Sequence, residues 1–463
     1  MQFQLTPEYL EPLRKAIGNN DQAFIMEQLK ELHPADIAEI FNELDLEESK
    51  YLYKQLDEEE AGKVLVEMEE DKREQFLASL TSKEIAEHID NMASDDAADV
   101  IAELPDDVQD EVLSHMEDSE QASDIVGLMN YDENTAGGLM ATELVRVHVN
   151  DSVRLCVREL RKQAEEVKNI YTIYVVDDND KLLGLLSLKS LLTTSLSAKV
   201  SQVYNPDIIS VKTNTPAEDV AKIMEKYDLV VLPVVDALGK LVGRITIDDV
   251  VDVIREEETE DVQKMGGMSA LDEPYMSISL LGMIKKRVGW LALLFIGESF
   301  TVYAMGFFEG EIKKAAVLAT FIPLIISSGG NTGSQVSTLI IRALSLGEIT
   351  IKEWLTIVRK EIKVGLALGM VLGILGFLRV ALWATFTDLY GPNWMLIGFC
   401  IGVALMGVVL WGNLMGSLFP IILKRLGLDP AVSSAPFVAT MVDVTGLIIY
   451  FTVASIMLRG VIL

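Results

Sequence analysis

Thiol and imidazole groups are scarce in this chain. Its 463 residues include two cysteines, Cys156 and Cys400, far apart in sequence, so no disulfide framework is implied. The four histidines (His33, His88, His115, His148) all fall in the first third. The apolar second part has none, which argues against a dedicated zinc or copper path there. No G-x-x-x-x-G-K-[S/T] or H-E-x-x-H run occurs, so ATP hydrolysis and zinc proteolysis lack support, and no enzyme chemistry is indicated. The opening MQFQLTPEYL has neither a basic n-region nor an apolar h-region. No cleavable signal peptide is therefore expected, and the segments that follow are expected in the cytoplasm.

Basic charge is scarce in one part only. Residues 285–463 hold nine acidic and 14 basic side chains, net +5, whereas residues 1–284 hold 61 acidic and 25 basic, net −36. The length leaves room for about three domains of roughly 150 residues. An acidic body is thus fused to an apolar, slightly basic part. The body repels nucleic acid and anionic headgroups and attracts cations, so no nucleic-acid partner is expected.

Apolar stretches recur at about 288–308, 315–341, 362–386, 394–422 and 433–457. Each reaches the roughly 20 residues needed to cross a hydrocarbon core. Lys285, Lys286 and Arg287 flank the first stretch. Arg342, Lys352, Arg359 and Lys360 follow the second, and Lys424 and Arg425 follow the fourth. The other loops have Lys313 and Lys314 beside Glu309 and Glu311, and then Asp388. The excess of Lys and Arg places the N-terminal part inside and the C-terminus outside.

Interruptions in the apolar runs carry the chemistry. Asp443 lies deep in the last span, where a carboxylate costs about 2.5–3.5 kcal/mol and normally faces a wet path or a partner. Ala439 and Ala435 precede it in helical steps of four, and Gly446 follows at i+3, a small-walled face with one anion. The other reading is a hydrogen-bonded Asp joining helices. Pro323 and the run Ser327–Gln335 are expected to break regular helix in span two, as cavity-lining backbone can. The bland alternative is a small-residue packing seam. Glu298 in span one is a further carboxylate, read as a partner or near-interface group. Mg²⁺ keeps several waters and prefers oxygen, so one Asp per chain, doubled by a two-fold axis, suits a hydrated divalent ion.

The soluble part repeats. Apolar residues recur every twelve (Leu32, Leu44, Leu56, Met68, Leu80, Met92, Leu104, Met116, Leu128), with a second apolar residue three positions before each. The spacing predicts short helices stacked into a superhelix over residues 1–130. LDLEE, LDEEE, MEEDK, LTSKE and LPDDV fit helix starts. The acidic skin has two readings, solvation or a surface for divalent ions. A second repeat aligns IYTIYVVDDNDKLLGLLSLKSLL with LVVLPVVDALGKLVGRITIDDVV and matches Gly184 with Gly243. Each copy reads strand, turn, strand, helix. The pair resembles tandem CBS modules, at 138–198 and 200–255, which are regulatory and often bind adenine nucleotides. The resemblance implies ATP at Thr246 and Asp249 of the second copy. The first has Ser187 but Ser190 in the Asp position. A purely structural pair is the alternative.

Residues 248–280 form a connecting helix and linker, with an anionic face ended by Gly266-Gly267. Like charges at i, i+4 weaken a helix by a few tenths of a kcal/mol per pair. Facing another acidic surface, such as Asp95-Asp96 or Asp228, costs more unless a counterion intervenes, and Mg²⁺ can supply it. High internal Mg²⁺ would hold these segments compact, and low Mg²⁺ would let them spread.

The motifs GGNTGSQ (329–335), STLIIRAL and LDPAVSSAPFVATMVDVTG resemble those of the MgtE-type magnesium channels. With the soluble part, the likeness covers nearly the whole chain. It implies a multidomain membrane protein: an all-α superhelical N-terminal domain, an α/β tandem CBS domain, a long connecting (plug) helix and a five-helix transmembrane domain at 285–463. It implies a homodimer in the lipid of a bacterial inner membrane, with a pore lined by spans two and five. Asp443 would select the ion, Asn331 would lie near the pore and Ala439 would line it. Some relatives have Asn where this chain has Ala435. Gating residues in matching positions are Asp228, Asp249, Asp252, Glu257, Glu260 and Asp261. The expected function is Mg²⁺ uptake closed by intracellular Mg²⁺. The rivals are a broader Co²⁺ or Mn²⁺ transporter, a CBS-bearing anion channel, which Asp443 argues against, and a nucleotide-sensing membrane protein.

Overall fold

The computed structural model describes residues 3–30, 32–163, 170–271, 275–387 and 389–460, so Asp388 of the expected outer loops lies outside the described residues. The chain divides into two compact units, Met1–Glu257 and Glu258–Leu463.

The first unit begins with ten short helices, from Pro7–Gly18 to Ser119–Leu128. Most pack against the helix two further along, the stacking of a superhelix. The twelve-residue period is the cause. Phe41, Tyr53, Leu65, Leu77, Ile89 and Ile101 recur at that spacing and are all buried. Phe41, Tyr53 and Phe76 meet edge to face, and Tyr53 also meets His88. The expected helix starts divide by chemistry. Asp45 and Thr81 form capping boxes with Glu48 and Glu84, and Asp57 accepts from the Glu60 amide. Glu69 and Pro105 precede helices without a side-chain cap. Arg73 donates through Nε to Glu103 at 3.0 and 3.1 Å, tying two helices together.

Two three-stranded sheets follow. Strands β1 (Arg146–His148), β2 (Ile173–Val176) and β3 (Leu182–Leu186) form the first, and β4 (Val211–Lys212), β5 (Val231–Val235) and β6 (Leu241–Thr246) the second. In each, the outer pair is parallel and the hairpin antiparallel. The hairpin turns use Asp177 and Asp236 as matching acceptors of two backbone amides each. Gly184 sits opposite Val175 and Gly243 opposite Val234, so the matched glycines are equivalent. Their reason is close approach. A Cβ at Gly243 would lie 2.8 Å from the Ala141 carbonyl, and one at Gly184 2.9 Å from the Asn205 carbonyl carbon. Ala141, which precedes the first sheet, bridges to Arg244 of the second. Asn205, after the first sheet, bridges back to Leu185.

The helix Ile247–Met265 leads onward and ends at Gly267, whose φ of +76° suits glycine. Among the described residues of the second unit, five helical stretches are long and apolar enough to cross a membrane: Leu280–Phe307, Ala316–Ser345, Ile351–Phe386, Gly391–Arg425 and Ala435–Met457, spans one to five. Span four packs on spans two, three and five, and span one packs on span five.

The expected break at Ser327–Gln335 does not occur: the helix Ile322–Ser345 is continuous. The interruption falls earlier, at Thr320–Phe321, with Pro323 in the first turn, where a missing N–H costs nothing. The hydroxyls turn back onto their own helix, Ser328 to the Leu324 carbonyl and Thr332 to the Ser328 carbonyl, both 2.7 Å. The glycines make a seam instead. A Cβ on Gly412 of span four would stand 2.5 Å from the Gly329 carbonyl oxygen, and Gly416 presses on Gly333 in the same way.

Candidate functional site

Asp443 stands eight residues into span five, about 12 Å along the helix axis. It is partly exposed, as are Ala439 and Ala435 on the same face. Gly330 of span two packs against that face. A Cβ there would meet Asp443 Oδ1 at 3.2 Å and Ala439 Cβ at 3.4 Å. Among the described residues the Asp443 carboxylate has no hydrogen-bond donor and no ion-pair partner. Gly446, expected beside it, is buried against Val408 of span four and belongs to the packing side.

Span two presents exposed Ser327 and Asn331 next to that groove, and Asn331 donates to Ser327 Oγ at 3.2 Å. Further along span two, Ser334 donates to the Ala435 carbonyl and Ser337 to the Ser433 carbonyl, each at 2.9 Å. Ser434 caps span five and accepts from the Trp290 indole at 3.2 Å. Spans one, two and five are thereby fixed at one end. Glu298 is exposed on span one, near enough for its charge to act on Asp443. Gly297 beside it faces Thr440 of span five.

A second anionic centre lies in the first unit. Asp95 and Asp96 open the helix Ser94–Ala102, and Asp249 stands in the first turn after β6. Ser94 is buried and donates from its amide and hydroxyl to Glu143 at 2.9 and 3.0 Å, which holds this helix end in place. Burial, then Asp249 and Asp96, push the Asp95 carboxyl well above the usual carboxylate range. Burial and Asp249 raise Asp96 to about 7. Asp249 rises to about 6 through burial and Asp248, against hydrogen bonds from Thr246. Asp99 rises to about 6 through burial and Glu133, opposed by Arg73. Asp95, Asp96 and Asp249 are therefore mutual neighbours. Asp99 and Glu143 join them without a pattern in the sequence that announces it.

The other acidic candidates are spread out. Asp228 is exposed, with φ +52°, three residues before β5, whose Val231 pairs with Thr246. It shares a sheet end with Asp249. Asp252 meets Arg255 at 3.4 Å, while Glu257, Glu260 and Asp261 lie further along the helix. Glu260 is engaged by Lys264 at 2.5 Å, and Lys264 also reaches Asp429 at 2.8 Å. Nothing in the sequence flags that pair. Among the described residues no three acidic, histidine or cysteine side chains converge closely enough to hold a metal as they stand. The donor chemistry of the Asp95 group, all anionic oxygen, is that of a hard divalent cation.

Thr246 donates from its amide and hydroxyl to Asp249 at 3.2 and 2.9 Å. In the first copy Ser187 accepts from the Ser190 amide at 3.0 Å, with no carboxylate at that place.

Residues 322–453 match a family model described as MgtE, divalent cation transporter. Residues 32–134 match the MgtE intracellular N domain, and 136–197 and 200–256 match CBS domains. The chain is 40% identical over 73% of its length to a magnesium transporter MgtE of Thermus thermophilus, covering 73% of that protein. It is 34% identical over 74% to the Enterococcus faecalis transporter of the same name, covering 73% of it. A crystal structure of the cytosolic domain of the Mg²⁺ channel MgtE in complex with ATP matches 53% of this chain and 99% of that chain, with TM-score 0.50 and 33% identity.

Proposed function

We propose, from the premise that this chain belongs to the MgtE family of magnesium transporters, that it is a Mg²⁺-selective channel for magnesium uptake, closed by intracellular Mg²⁺. The family comprises membrane transporters, not enzymes. One observation carries the channel reading: the unpartnered Asp443 carboxylate inside a span, walled by Gly330 and Ala439. A hydrated Mg²⁺ holds its waters, and a carboxylate with small neighbours can grip it through them. Ser327 and Asn331 expose polar groups on a membrane span, which favours a second copy facing them across a pore. The functional unit is then a homodimer in the inner-membrane lipid, with the acidic segments in the cytoplasm and the C-terminus outside.

Closure rests on the Asp95, Asp96 and Asp249 group. Three crowded carboxylates favour bound protons or a divalent counterion, and Mg²⁺ is the counterion at hand. Asp228, Asp252 and Glu257 of the same unit would add ligands, and Glu260 and Asp261 continue the acidic face of the connecting helix. ATP is a second ligand of the same region. Asp249 offers an acceptor suited to ribose hydroxyls, with the Thr246 hydroxyl at the helix start. Both groups are engaged with each other, and Asp249 sits with Asp95 and Asp96. Nucleotide and metal therefore compete for that carboxylate.

Patch-clamp of the full chain in liposomes, with internal Mg²⁺ varied, tests the proposal. Current that falls as internal Mg²⁺ rises, and that disappears in Asp443→Ala while the protein still elutes as a dimer, supports it. Undiminished current in Asp443→Ala removes the pore assignment. The broader description of the matching family as divalent cation transporters makes Co²⁺ and Mn²⁺ the other ions to try. Equal currents with these would replace Mg²⁺ selectivity by a general divalent path.

A further inference from the structure

We infer that Gln335 forms a second station for the hydrated cation, on the cytoplasmic side of Asp443. This rests on the reading of Asp443 as the pore carboxylate.

The level of Gln335 is set by its neighbours. Gly330 packs against Asp443 and Ala439, while Ser334 is bonded to the Ala435 carbonyl at 2.9 Å. Gln335 therefore stands about 7.5 Å along span two from the Asp443 level, beside the first turn of span five. At that level Ala435 of span five presents a methyl group, and its carbonyl is already taken by Ser334. The side chain able to contact an ion's water shell there comes from span two.

Gln335 is exposed on its helix and has no hydrogen-bond partner among the described residues. An unpaired carboxamide facing hydrocarbon is costly, so it needs water or a polar partner. It also lies where two clefts meet. One, of about 480 Å³, is lined by Ser334, Gln335, Thr338 and Leu339. The other, of about 270 Å³, has Asn331 and Gln335 on one wall and Leu368 and Val371 on the other. With Ser327 and Asn331, Gln335 makes a ladder of polar groups at steps of four residues.

The chemistry fits a transient stop. The outward hydrogens of a hydrated divalent ion need acceptors, and the Gln335 carboxamide oxygen is one. Being neutral, it holds the ion less firmly than Asp443 does. Conduction needs sites strong enough to enter and weak enough to leave. A weak amide station below a carboxylate gives the departing ion somewhere to go.

Single-channel recording of the full chain in liposomes tests this with Gln335→Leu, Gln335→Glu and Asp443→Asn. Loss of one net hydrogen bond to the ion's shell corresponds to roughly a two- to tenfold fall in Mg²⁺ conductance. Gln335→Leu should show that fall while remaining dimeric, and Gln335→Glu should restore conductance with tighter block at high Mg²⁺. Wild-type conductance in Gln335→Leu, with Asp443→Asn silent, overturns the Gln335 assignment alone. Equal loss in the Leu and Glu variants, accompanied by loss of the dimer, also overturns it and makes Gln335 a packing residue. Persistent current in Asp443→Asn instead removes the pore reading on which it rests.

Discussion

The Lys264 ammonium lies 2.8 Å from Asp429, a residue 165 positions further along the chain. Lys264 ends the connecting helix, and Asp429 caps the short turn Pro430–Val432 that leads into span five. Gly267 packs on Trp290 and Pro436 just beside them. Burial works against the charge on Lys264, but its bonds to Asp429 and Glu260 outweigh it and hold the pKa above its ordinary value. The pair is partly exposed, so a coupling of about 0.2–1 kcal/mol is expected. Lys264→Met and Asp429→Asn should each lower the melting temperature, and the double variant should lower it by less than their sum. Strict additivity would show that the two side chains do not cooperate.

The carboxylates at Asp95, Asp96, Asp99 and Asp249 make stability depend on pH with an unusual sign. Their folded-state pKa values lie above the ordinary carboxylate value, at about 7 for Asp96 and about 6 for Asp99 and Asp249. The folded protein therefore binds more protons than the unfolded chain at mildly acidic pH, and its stability falls as pH rises through that range. Melting of the full chain without divalent ions should drop from about pH 5 to about pH 7.5. Mg²⁺ should restore more at the higher pH than at the lower. Asp96→Asn should flatten the profile, and an unchanged profile in that variant would mean the group does not titrate as described.

Crowding between spans two and four can be tested by volume. Gly412→Ala would press a methyl group onto the Gly329 carbonyl, 2.5 Å away, whereas a methyl at Gly306 of span one meets nothing within 4 Å. Overpacking of this kind costs about 1–3 kcal/mol. Gly412→Ala should lower thermostability in detergent and Gly306→Ala should not. Equal effects would mean the seam is not tight.

Neutralising Asp249, Asp252 and Glu257 together removes charge from the face assigned to closure. The triple variant should conduct at internal Mg²⁺ that silences the wild type. Closure at the wild-type concentration would show that counterion binding at these carboxylates is not the gate.

Local features were legible in the chain. The twelve-residue spacing of Phe41, Tyr53 and Leu65 announces stacked helices because a buried stripe leaves a period behind it. Gly184 and Gly243 betray the duplicated sheets because each must admit another strand's backbone. The run Ser327–Gln335 is ambiguous in sequence because serine, threonine and glycine carry the same local signal in an unwound segment and in a packing seam. Only the positions of Gly412 and Gly416 on another helix distinguish them. Lys264 with Asp429, and Asp99 with the Asp95 group, left no trace, since such contacts depend on distant residues with no shared period.

The crossed bridges at Ala141–Arg244 and Leu185–Asn205 bear on how this protein can be rebuilt. Each repeat borrows a strap of backbone from beside the other, and each strap lies over a glycine. A graft that swaps one repeat for a homologous module would leave the host's strap against a surface not shaped for it. The natural cassette for exchange is the whole stretch from Met140 to the end of β6, taken with both glycines.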